Sequence, residues 1–272
     1  MPDPPRVSRG RLRFERAGAA TAVATAYADS PLRILTPRNH GTAAWAYTST
    51  LGGGLVGGDH LNLDLTLGPG AQAFVSTQGP TRVYRSARGC ESEVHARVGA
   101  GAALVLTPDP VSCFAGARYR QRTEIDLAAG ASVATWEVLA AGRVARGERW
   151  AFTRYLASSS LRREGTPLVE DALLLDPAHG ILSERLGRFE GIATLLLAGP
   201  FFAGARAAVL ARVDAAPLAP GARILAAASP LGKDALLVRF AAESIEELLG
   251  ALREDLAGVP ALLGDDPWAR RI

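Results

Sequence analysis

The chain is poor in several residue types that chemistry-bearing proteins draw on. Two cysteines in 272 residues cannot build a disulfide framework, so a reducing compartment, the cytoplasm, is expected. Lysine is almost missing: of 30 basic residues only Lys233 is one, and no glycine-rich loop has a phosphate-binding lysine beside it. The arginines are interleaved with 27 acids for a net charge of +3, which leaves no basic stripe and argues against nucleic acid as a partner. Aromatics reach only 6%, few for the platform a polysaccharide enzyme needs. The longest uncharged apolar stretch, residues 191–205, is too short to span a bilayer and is broken at Gly199-Pro200, so no membrane association is expected. Residues 17–28 follow Arg11, Arg13 and Arg16 as a signal peptide would. They are Ala, Thr and Val rather than Leu, however, and Glu15 sits in the basic region. We read a strand there.

Apolar residues make up 48% against 21% charged, the balance of a folded globular chain with a substantial core. Leu61, Leu63, Leu65 and Leu67 alternate with Asn62, Asp64 and Thr66, the period of a half-buried strand. Further strands are predicted at 73–77, 103–107, 132–136 and 172–176. Gly70-Ala71, Gly101-Ala102 and Gly130-Ala131 each open one of them, at spacings of 31 and 29 residues. Such a repeat fits stacked β-arches or hairpins that happen to turn on glycine. The last ninety residues differ. A helix is predicted at 205–213 and two strands at 223–228 and 235–240. A second helix starts at a capping box, Ser244 with Glu247, and carries Ile245, Leu248, Leu249, Leu252 and Leu256 on one face until Gly258 and Pro260 stop it. No linker intervenes, so 1–272 reads as one domain: β-rich over 1–190, with a helix–strand–strand–helix cap over 191–272.

Residues 52–57 match the dinucleotide pattern G-x-G-x-x-G literally. That fingerprint needs a helix after it and an acid about twenty residues on. An alternating strand follows instead, and 72–81 contain no acid. The glycines therefore read as positive-φ and close-approach positions in a tight connection that delivers Asp59 to the interior. No G-x-S-x-G or H-E-x-x-H occurs, and His40, His60, His95 and His179 are scattered. Cys90 and His95, five apart on a strand, would face opposite sides, so each reads as packing or surface rather than ligand.

A set of polar residues remains in otherwise apolar β-structure: Asp59, Gln78, Tyr84, Arg85, Asp109, Glu137, the group Arg143, Arg146, Glu148 and Arg149, and Glu170-Asp171. Each alone fits solvation or an ion pair. Together, at strand ends, their carboxylates suit weak, reversible passage of a divalent cation. The competing reading is a β-solenoid hydrolase or lyase on a polysaccharide, with Asp59, Asp109 or Glu137 as acid and base.

Four ordered segments resemble the urease accessory protein D family, called H in some bacteria. They are Gly54-Leu-Val-Gly-Gly-Asp59; Ser76-Thr-Gln78 with Arg82-Val-Tyr-Arg-Ser86; Pro108-Asp-Pro-Val111 with Phe114-Ala-Gly-Ala-Arg-Tyr-Arg-Gln121; and Trp136-Glu-Val138 with Ala141-Gly-Arg143 and Arg146-Gly-Glu148. They cover residues 50–150 closely. Cys113 departs from the proline expected there. The resemblance implies a mainly β fold, stacked sheets in a β-helix-like arrangement with a small helical C-terminal cap. It implies a non-enzymatic chaperone for nickel insertion into apo-urease, bound to accessory protein F and through it to the GTPase accessory protein G, with nickel crossing a polar interior tunnel. Asp59, Gln78, Tyr84, Arg85, Asp109, Glu137, Arg143 and Glu148 become candidates for the tunnel or its support, Asp59 and Glu137 as transient nickel ligands, with no tightly bound cofactor. The amphipathic C-terminal helix would either dock accessory protein F or face its own core.

Overall fold

The computed structural model describes residues 6–38, 41–216 and 219–269; His40 lies outside them. The run of Ala, Thr and Val after the arginines is a strand, as expected: β2 (Ala20–Ala28) pairs antiparallel with β1 (Arg6–Ala17). A second antiparallel pair, β3 (Leu32–Leu35) and β4 (Ala44–Thr50), follows. The chain then runs through β5 (Asp59–Leu67), β6 (Gln72–Thr77), β7 (Thr81–Val83), β8 (Cys90–Val98), β9 (Ala103–Leu106), β10 (Val111–Cys113), β11 (Arg118–Leu127), β12 (Ser132–Ala140), β13 (Arg154–Arg163) and β14 (Thr166–Leu175). After α1 (Leu182–Leu186) come β15 (Gly191–Ala198), α2 (Ala203–Ala215), β16 (Ile224–Leu231), β17 (Ala235–Ala242), α3 (Ile245–Asp255) and α4 (Val259–Leu263).

Successive strands alternate between two sheets. β5, β8, β11 and β13 stack in parallel in a seven-stranded sheet, while β4, β6, β9 and β12 stack in parallel in a ten-stranded one. Parallel neighbours cannot be joined by hairpins, so the thirty-residue repeat is one of stacked arches. Its glycines fix the corner: Gly70, Gly101 and Gly130 have φ of 66°, 63° and 67°, a conformation that costs glycine little. Each turn bonds the next, Gly70 N–H donating to Ala100 O at 2.9 Å and Gly101 N–H to Ala129 O at 3.1 Å.

The seven-stranded sheet buries only its inner face, which is why β5 alternates so plainly. The middle of the ten-stranded sheet is covered on both faces, and β9 is buried at every position, so it reads as a continuous apolar run. Leu65, Ile125, Leu104 and Val133 belong to the core between the sheets. Trp136, Leu195, Val238 and Phe240 belong to a second core with the helices. A third cluster, around Leu55, Val83, Cys113 and Tyr155, fills the corner where β7 and β10 run side by side.

The C-terminal strands are not a separate layer: β15, β16 and β17 extend the ten-stranded sheet from β12. Ser244 Oγ accepts from the N–H groups of Glu246 and Glu247. The other half of the expected box is spent elsewhere, because Glu247 pairs with Arg223 at 2.7 Å. Leu248, Leu252 and Leu256 are buried in the second core, so the stripe of α3 faces its own sheet. α3 ends at Asp255, just before Gly258, and Pro260 then sits in the first turn of a separate short helix, α4. No helix among the described residues is long and apolar enough to cross a membrane.

Candidate functional site in the interior between the sheets

Moving along the inner face of the seven-stranded sheet, the register rows change character. The row Leu65, Ala96, Ile125, Leu161 is apolar; the next two bring Thr123 with Ser159 and then Ser92 with Gln121. Opposite them, β12 contributes Glu137. Polar residues at inward positions do not close-pack, and two cavities of about 410 and 320 Å³ occupy this part of the interior. Glu137 lines both, and also a narrow space of about 20 Å³ that shares Thr123 and Ser159. Asp109 lines the larger cavity and Asp171 the smaller. Asp109, Glu137 and Asp171 thus follow one another, with Glu137 in the shared position, and Glu93 also borders the larger cavity.

Glu137 is enclosed by protein, and the surface it keeps faces the cavities. Its Oε1 accepts from Ser159 Oγ at 2.8 Å and Thr123 Oγ1 at 3.1 Å. Burial pushes its pKa up from the ordinary 4.5, hydrogen bonds from Ser159, Gln121 and Thr123 pull the other way, and the charge of Asp171 pushes it up again. Asp171 also pairs with Arg239, which ties β14 to β17 beside the smaller cavity. Asp109 is held by Thr77, whose Oγ1 donates to Oδ2 at 2.9 Å and accepts from the Asp109 N–H at 2.8 Å. Gln78 is exposed at the rim of the larger cavity.

The other predicted residues lie elsewhere. Asp59 lines neither cavity; its Oδ2 accepts from the Val56 N–H at 2.8 Å and closes its own turn. The loop before it needs glycine for the two expected reasons. Gly52, Gly53 and Gly58 have positive φ, and a Cβ on Gly54 would stand 2.6 Å from the Arg82 carbonyl. Tyr84, Arg85, Arg143 and Glu148 assemble a corner around Phe114. The Tyr84 ring meets it edge-on at 5.3 Å, the Arg143 guanidinium lies 4.3 Å over its centre, and Arg85 runs along Gly116. Glu148 accepts from Arg143 Nε at 2.9 Å and the Ala115 N–H at 3.1 Å, and both, Arg143 first, lower its pKa. This corner joins the loops that carry the four segments and lines neither cavity. Cys113 fits the turn as the last residue of β10, buried and paired with Val83. Thr123 and Ser159 are not among the residues singled out from the sequence, Gln121 enters there only as the end of a family segment, and Asp171 stands in the polar set but not among the tunnel candidates. The signal was in 118–127, where Gln121 and Thr123 interrupt the inward row Tyr119, Ile125, Leu127.

The family model of the UreD urease accessory protein matches residues 7–272. The chain belongs to the UreD family. It is 48% identical over 262 residues to the urease accessory protein UreD of Sorangium cellulosum, covering 96% of this chain and 83% of that one. Against the urease accessory protein UreD of Anaeromyxobacter sp. it is 45% identical over 267 residues, covering 97% and 90%. The urease accessory protein D of rice, Oryza sativa subsp. japonica, is 29% identical over 294 residues, covering 97% and 95%. As a UreD-family member this chain is a urease accessory protein and not an enzyme, which sets aside the polysaccharide hydrolase or lyase.

Proposed function

We propose that this UreD-family chain delivers nickel to apo-urease in the cytoplasm, as a scaffold with accessory proteins F and G, and that the ion crosses the interior past Glu137. The observation that carries this reading is the shared position of Glu137 between the two cavities, with Asp109 on one side and Asp171 on the other. One carboxylate with hydroxyl neighbours is a weak site for a divalent cation, suited to passage rather than storage. Its raised pKa means that a cation must compete with a proton for this carboxylate, which weakens the hold further. The corner formed by Tyr84, Arg85, Arg143 and Glu148 holds the strand connections that frame this passage.

Co-expression of urease with its accessory proteins tests both parts. Omitting this chain is expected to leave urease low in nickel and activity, and equal activation without it would end the delivery reading. Glu137→Ala is expected to lower activation at least about tenfold, a barrier change of about 1.4 kcal/mol, with the accessory complex still assembling. Normal activation by that variant would remove the passage and leave the scaffold.

A further inference from the structure

On the other side of β8 from the cavities lies a second group of chemically active side chains. Glu91, Glu93 and His95 alternate onto its outward face, and the thirty-residue repeat brings His60 of β5 into register with Glu91. Ligand-capable atoms of His60, Glu91 and Glu93 all lie within 4.8 Å of one another. Glu93 Oε2 is 3.5 Å from His60 Nε2 and 3.7 Å from His95 Nε2. These separations are long for hydrogen bonds. They are close to the roughly 3.0–3.5 Å that separates neighbouring ligand atoms around an ion held at about 2.0–2.2 Å.

Two further observations point the same way. His60 Nε2 is closed off from solvent and makes no hydrogen bond, although it is directed at a carboxylate. On the other imidazole, His95 Nδ1 lies 2.8 Å from Glu124 Oε2. Donating the Nδ1 proton to that carboxylate turns the Nε2 lone pair toward Glu93, the arrangement found around metal-binding histidines. Arg122 pairs with Glu124 and holds it in place. An imidazole with carboxylates selects a borderline transition metal such as nickel(II), zinc(II) or cobalt(II) over magnesium or calcium.

We infer that His60, Glu91 and Glu93, whose ligand atoms converge, form a divalent transition-metal site on the outward face of the seven-stranded sheet, with His95 next to Glu93 at its edge. Glu124 is its positioning residue. The site lies on the face of β8 opposite Ser92 and Val94, which line the larger cavity, and Glu93 borders that cavity as well. Metal titration of the chain alone reads this site and urease activation reads delivery, so the two can fail separately.

The test is titration calorimetry of the full chain with nickel(II), zinc(II) and magnesium, with X-ray absorption on the nickel-loaded protein. Wild type is expected to bind an ion with imidazole scattering in its spectrum. His60→Ala with His95→Ala is expected to lose that ion, and Glu124→Gln to weaken it about 10–100-fold with the imidazole signature kept. Comparable thermal midpoints confirm that the variants fold. Wild-type affinity in the double variant, a nickel spectrum without imidazole, or equal affinity for magnesium would each overturn the site.

Discussion

Ser159 Oγ donates a 2.8 Å hydrogen bond to Glu137 Oε1, a side-chain tie between the two sheets across the polar interior. A hydrogen bond of this kind contributes about 1–2 kcal/mol, so Ser159→Ala is expected to destabilise the chain by about that amount. The cost should shrink in a Glu137→Ala background, where no carboxyl remains to be satisfied. Urea unfolding of the four proteins of the cycle measures the coupling. Equal costs in the two backgrounds would show that the bond is not an energetic link between the sheets.

Glu137 also makes stability depend on pH in a direction opposite to that of a salt-bridged acid. Its folded pKa is raised above 4.5, first by burial. The folded state then holds its proton more tightly than the unfolded chain, so this stabilisation is complete below pH 4.5 and is lost as pH rises through the folded value. Glu137→Gln removes that loss. Its melting temperature is expected to gain on wild type between pH 5 and pH 8, by roughly 2–4 °C for each kcal/mol. A pH-independent difference in thermal unfolding would contradict the raised pKa.

How far the sequence foretold these features depended on whether the signal was local. The strand β5 was plain because one of its faces meets solvent, and α3 because Ser244 caps it. The repeat pointed to stacked turns through three glycines at one corner. Asp59 was misplaced because its nearness to a glycine loop says nothing of where the carboxylate points; the Val56 N–H captures it. The surroundings of Glu137 come from β11, β12 and β13, and His60 meets Glu93 only through a parallel register. Contacts of that kind depend on the winding of the chain, which no short window contains.

The glycine loop offers a test of two separate requirements. Gly53 has a φ of 73° with no atom within 4 Å of a would-be Cβ, so Gly53→Ala should cost only the left-handed backbone, about 1–2 kcal/mol. Gly54 lies against the Arg82 carbonyl and the Tyr84 ring. Gly54→Ala must therefore push apart the connection that bridges Leu55 to Val83, at a cost of about 1–3 kcal/mol. Replacement by D-alanine in a semisynthetic chain should restore Gly53, whose conformation it favours, and not Gly54, where space is lacking. Chemical denaturation separates the two, and rescue of both by D-alanine would show that backbone conformation alone selects glycine here.

The pair that joins α2 to α3 gives the sharpest stability prediction. Arg212 grips Asp255 with Nε at 3.0 Å and Nη2 at 2.7 Å, and the aspartate side chain is only 2% exposed against 43% for the arginine. Burial raises the Asp255 pKa and Arg212 opposes it, so Arg212→Ala strands a carboxylate that cannot reach water. The expected cost at pH 8 is about 2–4 kcal/mol, below the full range for a wholly buried pair because Arg212 is part solvated. Without Arg212 the Asp255 pKa rises further, and the penalty should fade as pH drops toward 3.8, where the unfolded carboxyl also takes its proton. Asp255→Asn in the Arg212→Ala background should recover part of the loss at pH 8, since it removes the stranded charge while keeping its shape. Urea unfolding at pH 5 and pH 8 decides the matter: a cost that is the same at both would mean that lost packing, and not the unpaired carboxylate, is what Arg212 prevents.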